Sequence, residues 1–391
     1  MHVAIVAPEF PPEIGGMQTY ALEFAKELVA RGHRVTVFTR RRAEPQARLA
    51  GMDVRCVLVG RAGPDLAQLR TASADAWQVM NAAYAWVALH FAPTVVSVHG
   101  NDFLRPYIPV GEPDLGRVPG LWRSARLRPA MEHWVGGWRT PRLMRRGLRR
   151  ASHILCNSRY TEQVFLAQFP ECRQRSTAAM VGVSAEFLAM QAPRTLLPVP
   201  RLITVCRLSE ERKNVGLVLH ALARLRDRHV FSYTVVGDGP LRPGLAQLAK
   251  QLGLADRVRF TGFLGQDEMR DALVQSDLFV LTAAINPGSH EGFGIAYLEA
   301  NACGTPTLAA RLAGAAEAVQ DGVSGYFAEP LSVEGVAEAL RRFFAGELQF
   351  SPEACRAFAR RFTWAQVVDA ALPWYGGAGD AVPPLALPQG A

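Results

Sequence analysis

Residues 1–38 read MHVAIVAPEFPPEIGGMQTYALEFAKELVARGHRVTVF. The apolar run Val3–Val6 has the length of a buried strand, and the stretch from Pro8 to Gly16 cannot continue it. Tyr20, Ala21, Phe24, Ala25, Leu28 and Val29 then recur at helical spacing, Gly32 supplies a C-cap, and Val35–Phe38 is the next strand. A strand, loop, helix and strand in that order is the opening of an α/β fold with a mainly parallel sheet covered on both faces.

Working outward, short apolar strands at Thr94–Val98 and Ile154–Cys156 continue the alternation. Ala192–Pro200, with three prolines, reads as an interdomain linker. Strand-type runs resume at Leu202–Val205, Phe231–Val236, Val258–Thr261, Leu278–Leu281 and Thr307–Ala309, which predicts a second doubly wound, Rossmann-like unit. The expected organisation is 1–195, 196–362, a last helix over 363–375 returning to the first domain, and a Gly/Pro-rich tail, 376–391, too poor in apolar residues to fold. At 391 residues, two domains are also the expectation from size.

With 49% hydrophobic and 20% charged residues, the composition is that of an ordinary globular chain. It contains no run of about 18 uncharged apolar residues. The amino terminus lacks the basic segment and cleavage site of a signal peptide. The six cysteines are scattered, without C-x-x-C or zinc-finger spacing, so neither a disulfide framework nor structural zinc is expected. A reducing cytoplasm fits that usage.

In open parallel sheets ligands bind beyond the carboxyl ends of the strands, so the loops there carry the candidates. Glu291-Gly-Phe-Gly-Ile-Ala-Tyr-Leu-Glu299 follows the strand Leu278–Leu281. Gly292 and Gly294, flanking Phe293 ahead of Ile295, let backbone N–H groups approach a phosphate at a helix amino terminus. Glu299, eight residues beyond Glu291, is expected two turns along on about the same helical face, so that both acids hold sugar hydroxyls. The alternative is a capped surface helix with exposed acids. Val205-Cys-Arg-Leu-Ser-Glu-Glu-Arg-Lys-Asn214 offers Arg207 and Lys213 to neutralise a diphosphate, or simply a solvated basic surface.

The segment Glu291–Glu299 resembles the E-x7-E motif of the GT4 family of retaining glycosyltransferases. Asn301–Thr307, Gly314, Glu317, Asp321-Gly322 and Gly325–Phe327 are similar to the turns that follow it in that family. Val205–Asn214 resembles its G-R-L-x-x-x-K-G element, with Arg207 and Lys213 matching and Cys206 and Asn214 standing in place of glycines. Pro12-Glu13-Ile14-Gly15-Gly16 resembles its first glycine loop, and Asn157-Ser158 its N-S element, although a helix N-cap is the other reading of that pair. His99, in His99-Gly-Asn-Asp102, is similar to the family's histidine near the anomeric carbon, although a lone histidine is more often structural. The resemblance runs from Met1 to about Tyr375. It implies the GT-B arrangement of two Rossmann-like domains facing a cleft, and a hexosyl-transferring enzyme using a UDP- or GDP-sugar as cosubstrate.

On that resemblance Glu291 faces the donor sugar and Glu299 the ribose hydroxyls. Gly15, Gly16, Gly292, Phe293, Gly294 and Ile295 join Arg207 and Lys213 around the donor, while Asp102 and Asn157 line the cleft on the acceptor side. Catalysis is expected from His99, Glu291, Arg207 and Lys213. No D-x-D occurs, so no metal cofactor is expected and charge compensation falls to Arg207, Lys213 and helix dipoles. The missing G-x-G-x-x-G after the first strand counts against a dinucleotide-binding dehydrogenase. A nucleotide-sugar epimerase or hydrolase and an inactive membrane-associated scaffold of the same fold are the competing readings.

Between Trp122 and Arg150 stand nine arginines (123, 126, 128, 139, 142, 145, 146, 149 and 150) with Trp122, Trp134 and Trp138, opposed by Glu132 alone. Arginine with tryptophan suits an anionic membrane surface and so a glycan or lipid-linked acceptor at the inner face of the cell membrane; a solvated arginine-rich face is the plain alternative. No nucleic-acid module accompanies the basic residues, so nucleic acid is not an expected partner.

Overall fold

The computed structural model describes residues 1–13, 15–40, 48–106, 108, 110, 114, 116, 118, 122, 124, 126–189 and 198–376. Ile14, Arg123, most of the expected linker, the expected 195/196 boundary and all but the first residue of the expected tail lie outside them. The chain divides into two compact units. The first comprises Met1–Asn157, Glu162–Ala179 and Ala365–Ala391; the second comprises Ser158–Thr161 and Met180–Trp364.

The first unit holds β1 (His2–Val6), β2 (Arg34–Arg40), β3 (Arg48–Leu49), β4 (Met52–Leu58), β5 (Ala76–Val79), β6 (Thr94–Val98), β7 (His153–Cys156) and β8 (Ser176–Ala178). They form one sheet in the order β3-β4-β2-β1-β5-β6-β7-β8. Every pairing is parallel except β3 with β4. The strand order reverses at β1, between β2 and β5, which puts a topological switch point beside the loops after β1 and β5. Burial on both faces explains why β1 reads as an unbroken apolar run: all five of its residues are buried.

β5 escapes that reading because Gln78 sits in the middle of it. Its amide is satisfied internally, donating to Ser97 Oγ at 2.9 Å and accepting from Tyr375 Oη at 2.7 Å. Tyr375 belongs to the carboxy-terminal segment that ends this unit, where Trp374 also stacks on His153 at 4.1 Å.

The second unit holds β9 (Arg201–Val205), β10 (Ser232–Val236), β11 (Val258–Gly262), β12 (Leu278–Leu281), β13 (Thr307–Ala309) and β14 (Gly325–Phe327). The order β11-β10-β9-β12-β13-β14 is wholly parallel. Its switch point lies between β9 and β12, so the loops after these two strands stand side by side. The unit takes in the chain from Met180, ahead of the boundary expected at 195. The reason is packing: Gly182 lies so close to Trp364 that a Cβ there would stand 2.4 Å from the Trp364 nitrogen, and Val183 N–H donates to Phe362 O at 3.1 Å.

All six cysteines are free thiols. Among the described residues no helix is long and apolar enough to cross a membrane.

Candidate active site

At the second unit's switch point the loop after β9 ends in a short 3-10 turn, Glu211–Lys213. The turn brings Arg212 and Lys213 to one carboxylate. Lys213 Nζ lies 2.6 Å and Arg212 Nη1 3.1 Å from Glu291 Oε2. Arg212, 6% exposed, also donates from Nε to Glu210 Oε2 at 2.6 Å and to Ser289 Oγ at 2.8 Å. Burial alone would raise the Glu291 carboxyl, yet Lys213 and Arg212 outweigh it and hold the group at about 2. Glu210 is likewise lowered, its burial outweighed by the same two cations. Glu291 is therefore a carboxylate at neutral pH.

Asn214 follows in the left-handed conformation, φ +55°, and its Nδ2 donates to Thr282 O at 2.8 Å. That is why asparagine replaces the family's glycine here without changing the turn: its short polar side chain tolerates this region and bonds locally. Cys206 needs no such conformation. The close approach beside it is made by Gly237, where a Cβ would meet the Cys206 carbonyl oxygen at 2.0 Å.

After β12 the chain runs through Glu291, Gly292 and Phe293 to Gly294 (φ +95°), which caps the helix Ile295–Ala302. Since the helix begins at Ile295, Glu291 precedes it, and the expectation that Glu291 and Glu299 share one helical face is corrected. Glu291 is oriented by its two cations; Glu299 lies within the helix and is 7% exposed. Neither is a solvated surface acid. The loop is pressed from behind by Gly314, whose N–H donates to Glu291 O at 3.1 Å and where a Cβ would meet Gly292 O at 2.2 Å. Tyr297 Oη fastens the helix to Leu281 O at 2.6 Å.

Arg207 stands apart from this cluster. It is exposed and forms no hydrogen bond or ion pair among the described residues. Arg212 is the cation that sequence reasoning passed over. It sits beside Lys213 in the quoted motif, but only the 3-10 turn reveals which of the neighbouring basic side chains faces inward.

In the first unit, His99 and Asn157 follow the paired strand ends Val98 and Cys156. The His99 ring lies edge-on to Tyr20 at 4.5 Å, and its Nε2 is buried without a hydrogen-bond partner among the described residues, as is Asn157 Oδ1. Burial lowers the His99 pKa despite Asp102 and the Met80 backbone, which favours neutral imidazole. Gly100, φ +108°, makes the turn between His99 and the short helix Asn101–Leu104.

Asp102, expected as a cleft contact, instead spends both oxygens on backbone. Oδ1 accepts from His99 N–H and Oδ2 from Ala82 N–H, each at 2.8 Å, so it braces the histidine loop. The N-cap reading of Asn157-Ser158 belongs to Ser158, whose Oγ accepts from Thr161 N–H at 2.9 Å. Gly15 is extended, and open space surrounds the place of a Cβ at Gly16, the first residue of helix Gly16–Ala30. No cluster of three or more His, Cys, Asp or Glu side chains is placed to hold a metal ion among the described residues.

Two Rossmann-like units of mainly parallel sheet, the second carrying a clamped carboxylate ahead of a glycine-entered helix, define the GT-B class of glycosyltransferases. The family described as Glycosyl transferases group 1 matches residues 195–362, and Glycosyltransferase Family 4 matches residues 14–183. The chain belongs to these glycosyltransferases. It is 28% identical over 402 residues to the D-inositol 3-phosphate glycosyltransferase of Mycolicibacterium gilvum, covering 97% of this chain and 88% of that protein. It is 27% identical to the GDP-mannose-dependent alpha-(1-6)-phosphatidylinositol monomannoside mannosyltransferase of Mycolicibacterium smegmatis, covering 90% of each. Among solved structures, HepE of Anabaena in complex with UDP-glucose aligns with a TM-score of 0.70 at 19% identity, over 95% of this chain and 98% of that one.

Proposed function

We propose that this glycosyltransferase retains anomeric configuration, needs no divalent metal, and moves a sugar from a UDP- or GDP-linked donor to a glycan or lipid-linked acceptor. The observation that carries the donor assignment is the clasp of Lys213 and Arg212 on Glu291, directly ahead of the glycine-entered helix that bears buried Glu299. Glu291 is fixed as an anion, suited to accept hydrogen bonds from sugar hydroxyls. The amides of Gly292–Ile295 and the positive end of the helix suit the diphosphate.

Lys213 uses one of its three donors on Glu291 and keeps the others for phosphate oxygens. Arg207, exposed and unpaired among the described residues, supplies a second, bidentate partner. Glu299 takes the ribose hydroxyls. His99, neutral and with Nε2 unsatisfied, takes a sugar hydroxyl near the anomeric carbon.

In the transfer step the bond from the anomeric carbon to the leaving phosphate oxygen breaks. The acceptor hydroxyl attacks the same face, and its proton passes to the departing phosphate. Arg207 and Lys213 stabilise the charge that develops on that phosphate, which is where catalysis of this kind gains most.

The arginine-rich stretch supports contact with an anionic membrane. Trp134 and Trp138 are 46% and 48% exposed and stacked at 5.6 Å, with Arg142 over the Trp138 ring at 4.0 Å. A phosphatidylinositol-based acceptor, named for one of the relatives above, would meet the enzyme there.

The test is to incubate the protein with UDP- and GDP-sugars in EDTA, together with candidate glycolipid acceptors, and to determine the product's anomeric configuration by NMR. Transfer with retention is expected. Inversion, a strict metal requirement, or release of free sugar in place of transfer would each overturn part of the reading.

A further inference from the structure

A cavity of about 370 Å³ lies wholly within the first unit. Its walls are the loop Gly60–Pro64 after β4, the stretch Ala83–Trp86 after β5, and the helical run from Met131 to Leu143, with Trp122. Protein interiors seldom leave voids larger than a water molecule, whereas pockets for small organic ligands begin at roughly 300 Å³. Three indoles, those of Trp86, Trp122 and Trp134, line it beside Val135 and Leu143. Trp134 lines the cavity and is still 46% exposed, so the cavity opens to the surface there.

Three further observations mark it as built rather than left over. A π-helical turn, Val135–Arg139, interrupts the helical run where it borders the cavity, and Trp134, Val135, Arg139 and Thr140 all line it. Such turns recur at functional sites because they re-aim side chains at a cost in helix regularity.

Two cations accompany the apolar lining. Arg61 is held over the Trp122 ring at 4.1 Å and donates to Gly60 O and Ile108 O; Arg139 is exposed and pairs with no carboxylate among the described residues. Finally, the wall is tied to the candidate catalytic histidine. Asp102 accepts the N–H groups of both His99 and Ala82, and the wall begins at Ala83, whose N–H donates to Asn81 Oδ1 at 2.9 Å.

We propose that this cavity receives the aliphatic chain of an amphiphilic acceptor whose phosphate head is held at the mouth by Arg139. An apolar chamber with a cationic rim matches such a molecule in both its parts, and a free sugar in neither. The inference rests on the transferase reading above and names the acceptor class. Occupancy of the cavity positions the acceptor's reacting hydroxyl through the Ala82–Asp102–His99 brace.

Calorimetric titration of the full chain with tetradecyl phosphate, kept below its micelle concentration, tests this. Saturable binding at one molecule per chain is expected, with none by inorganic phosphate. Arg139→Gln removes a charge-assisted contact at an exposed position and should weaken binding roughly tenfold. Leu143→Trp fills the chamber and should abolish binding; should it fail to fold, Thr140→Trp at the half-buried rim serves instead. UDP- and GDP-sugar binding is measured on the same proteins and should not change in these variants.

Equal binding by the filled variant, binding by inorganic phosphate alone, or binding to anionic vesicles with none of the monomer overturns the inference. A wild type that binds nucleotide sugar and no alkyl phosphate defeats this inference alone. One that binds alkyl phosphate and no nucleotide sugar defeats the transferase reading and leaves the cavity assignment standing.

Discussion

Gly314→Ala should impair the enzyme through a methyl group that touches no substrate. Gly314 has φ −64°, a conformation any residue adopts, so backbone strain is not the issue. Space is: an added Cβ would lie 2.2 Å from Gly292 O and 2.6 Å from Phe293 Cα, backbone atoms that cannot rotate away. Restoring an ordinary contact displaces the Gly292–Phe293 backbone by about 1 Å, and a misplacement of that size costs about 100-fold in catalysis where the displaced groups position substrate.

Overpacking should also lower stability by about 1–3 kcal/mol. The assay is kcat/KM with the nucleotide sugar, alongside thermal unfolding. Gly244→Ala is the control. No heavy atom lies within 4 Å of its added Cβ, and it sits inside helix Arg242–Gln251, so it should stabilise by about 0.5–1 kcal/mol and leave kinetics unchanged. Wild-type kcat/KM in Gly314→Ala would refute the claim that this loop positions the donor.

Arg212→Ala leaves Glu210 and Glu291 sharing Lys213, and should destabilise by about 3–5 kcal/mol in chemical denaturation. Arg207→Ala, exposed and unpaired among the described residues, should leave the unfolding midpoint within experimental scatter and lower kcat. The pH dependence of stability has two windows, both losing stability on acidification. His153 and His290, lowered from 6.5 to about 4 chiefly by burial, are neutral when folded; their contribution is complete above pH 6.5 and is lost as pH falls towards 4. Glu291, lowered from 4.5 to about 2 by cations that outweigh its burial, contributes fully above 4.5 and loses that as pH falls towards 2. Each of the three groups contributes at most about 3 kcal/mol, so the histidine window, which holds two of them, is worth at most about 6 kcal/mol. Denaturant midpoints measured from pH 8 to pH 3 should fall monotonically, and a rise on acidification would contradict these signs. Replacing Trp134 and Trp138 by Ser should reduce co-flotation with anionic vesicles and leave nucleotide binding intact.

Much of the fold was legible because both sheets are mainly parallel and their central strands are buried on both faces, so strands such as Val3–Val6 and Leu278–Leu281 stand out as apolar runs. β5 stayed hidden because Gln78 is satisfied by buried partners, Ser97 and, 297 residues away in sequence, Tyr375. In the site, the pairing of Lys213 with Glu291 joins residues 78 apart and becomes visible only when β9 and β12 are neighbours. Arg212 and the bracing role of Asp102 depend on which way a short turn points its side chains, and residue order does not carry that information. The cavity beside the π-turn depends on separate segments of the chain meeting, and from sequence two of its tryptophans, Trp122 and Trp134, read as part of a membrane-facing surface.

The most direct test of the central claim is nucleotide-sugar binding by calorimetry, in EDTA, for wild type, Arg207→Ala, Lys213→Ala and Glu299→Ala. Saturable binding of a UDP- or GDP-sugar, weakened tenfold or more by loss of Glu299 and also reduced by loss of either cation, is the predicted result. Wild-type affinity in all three variants, or no nucleotide binding by the intact chain, would contradict it.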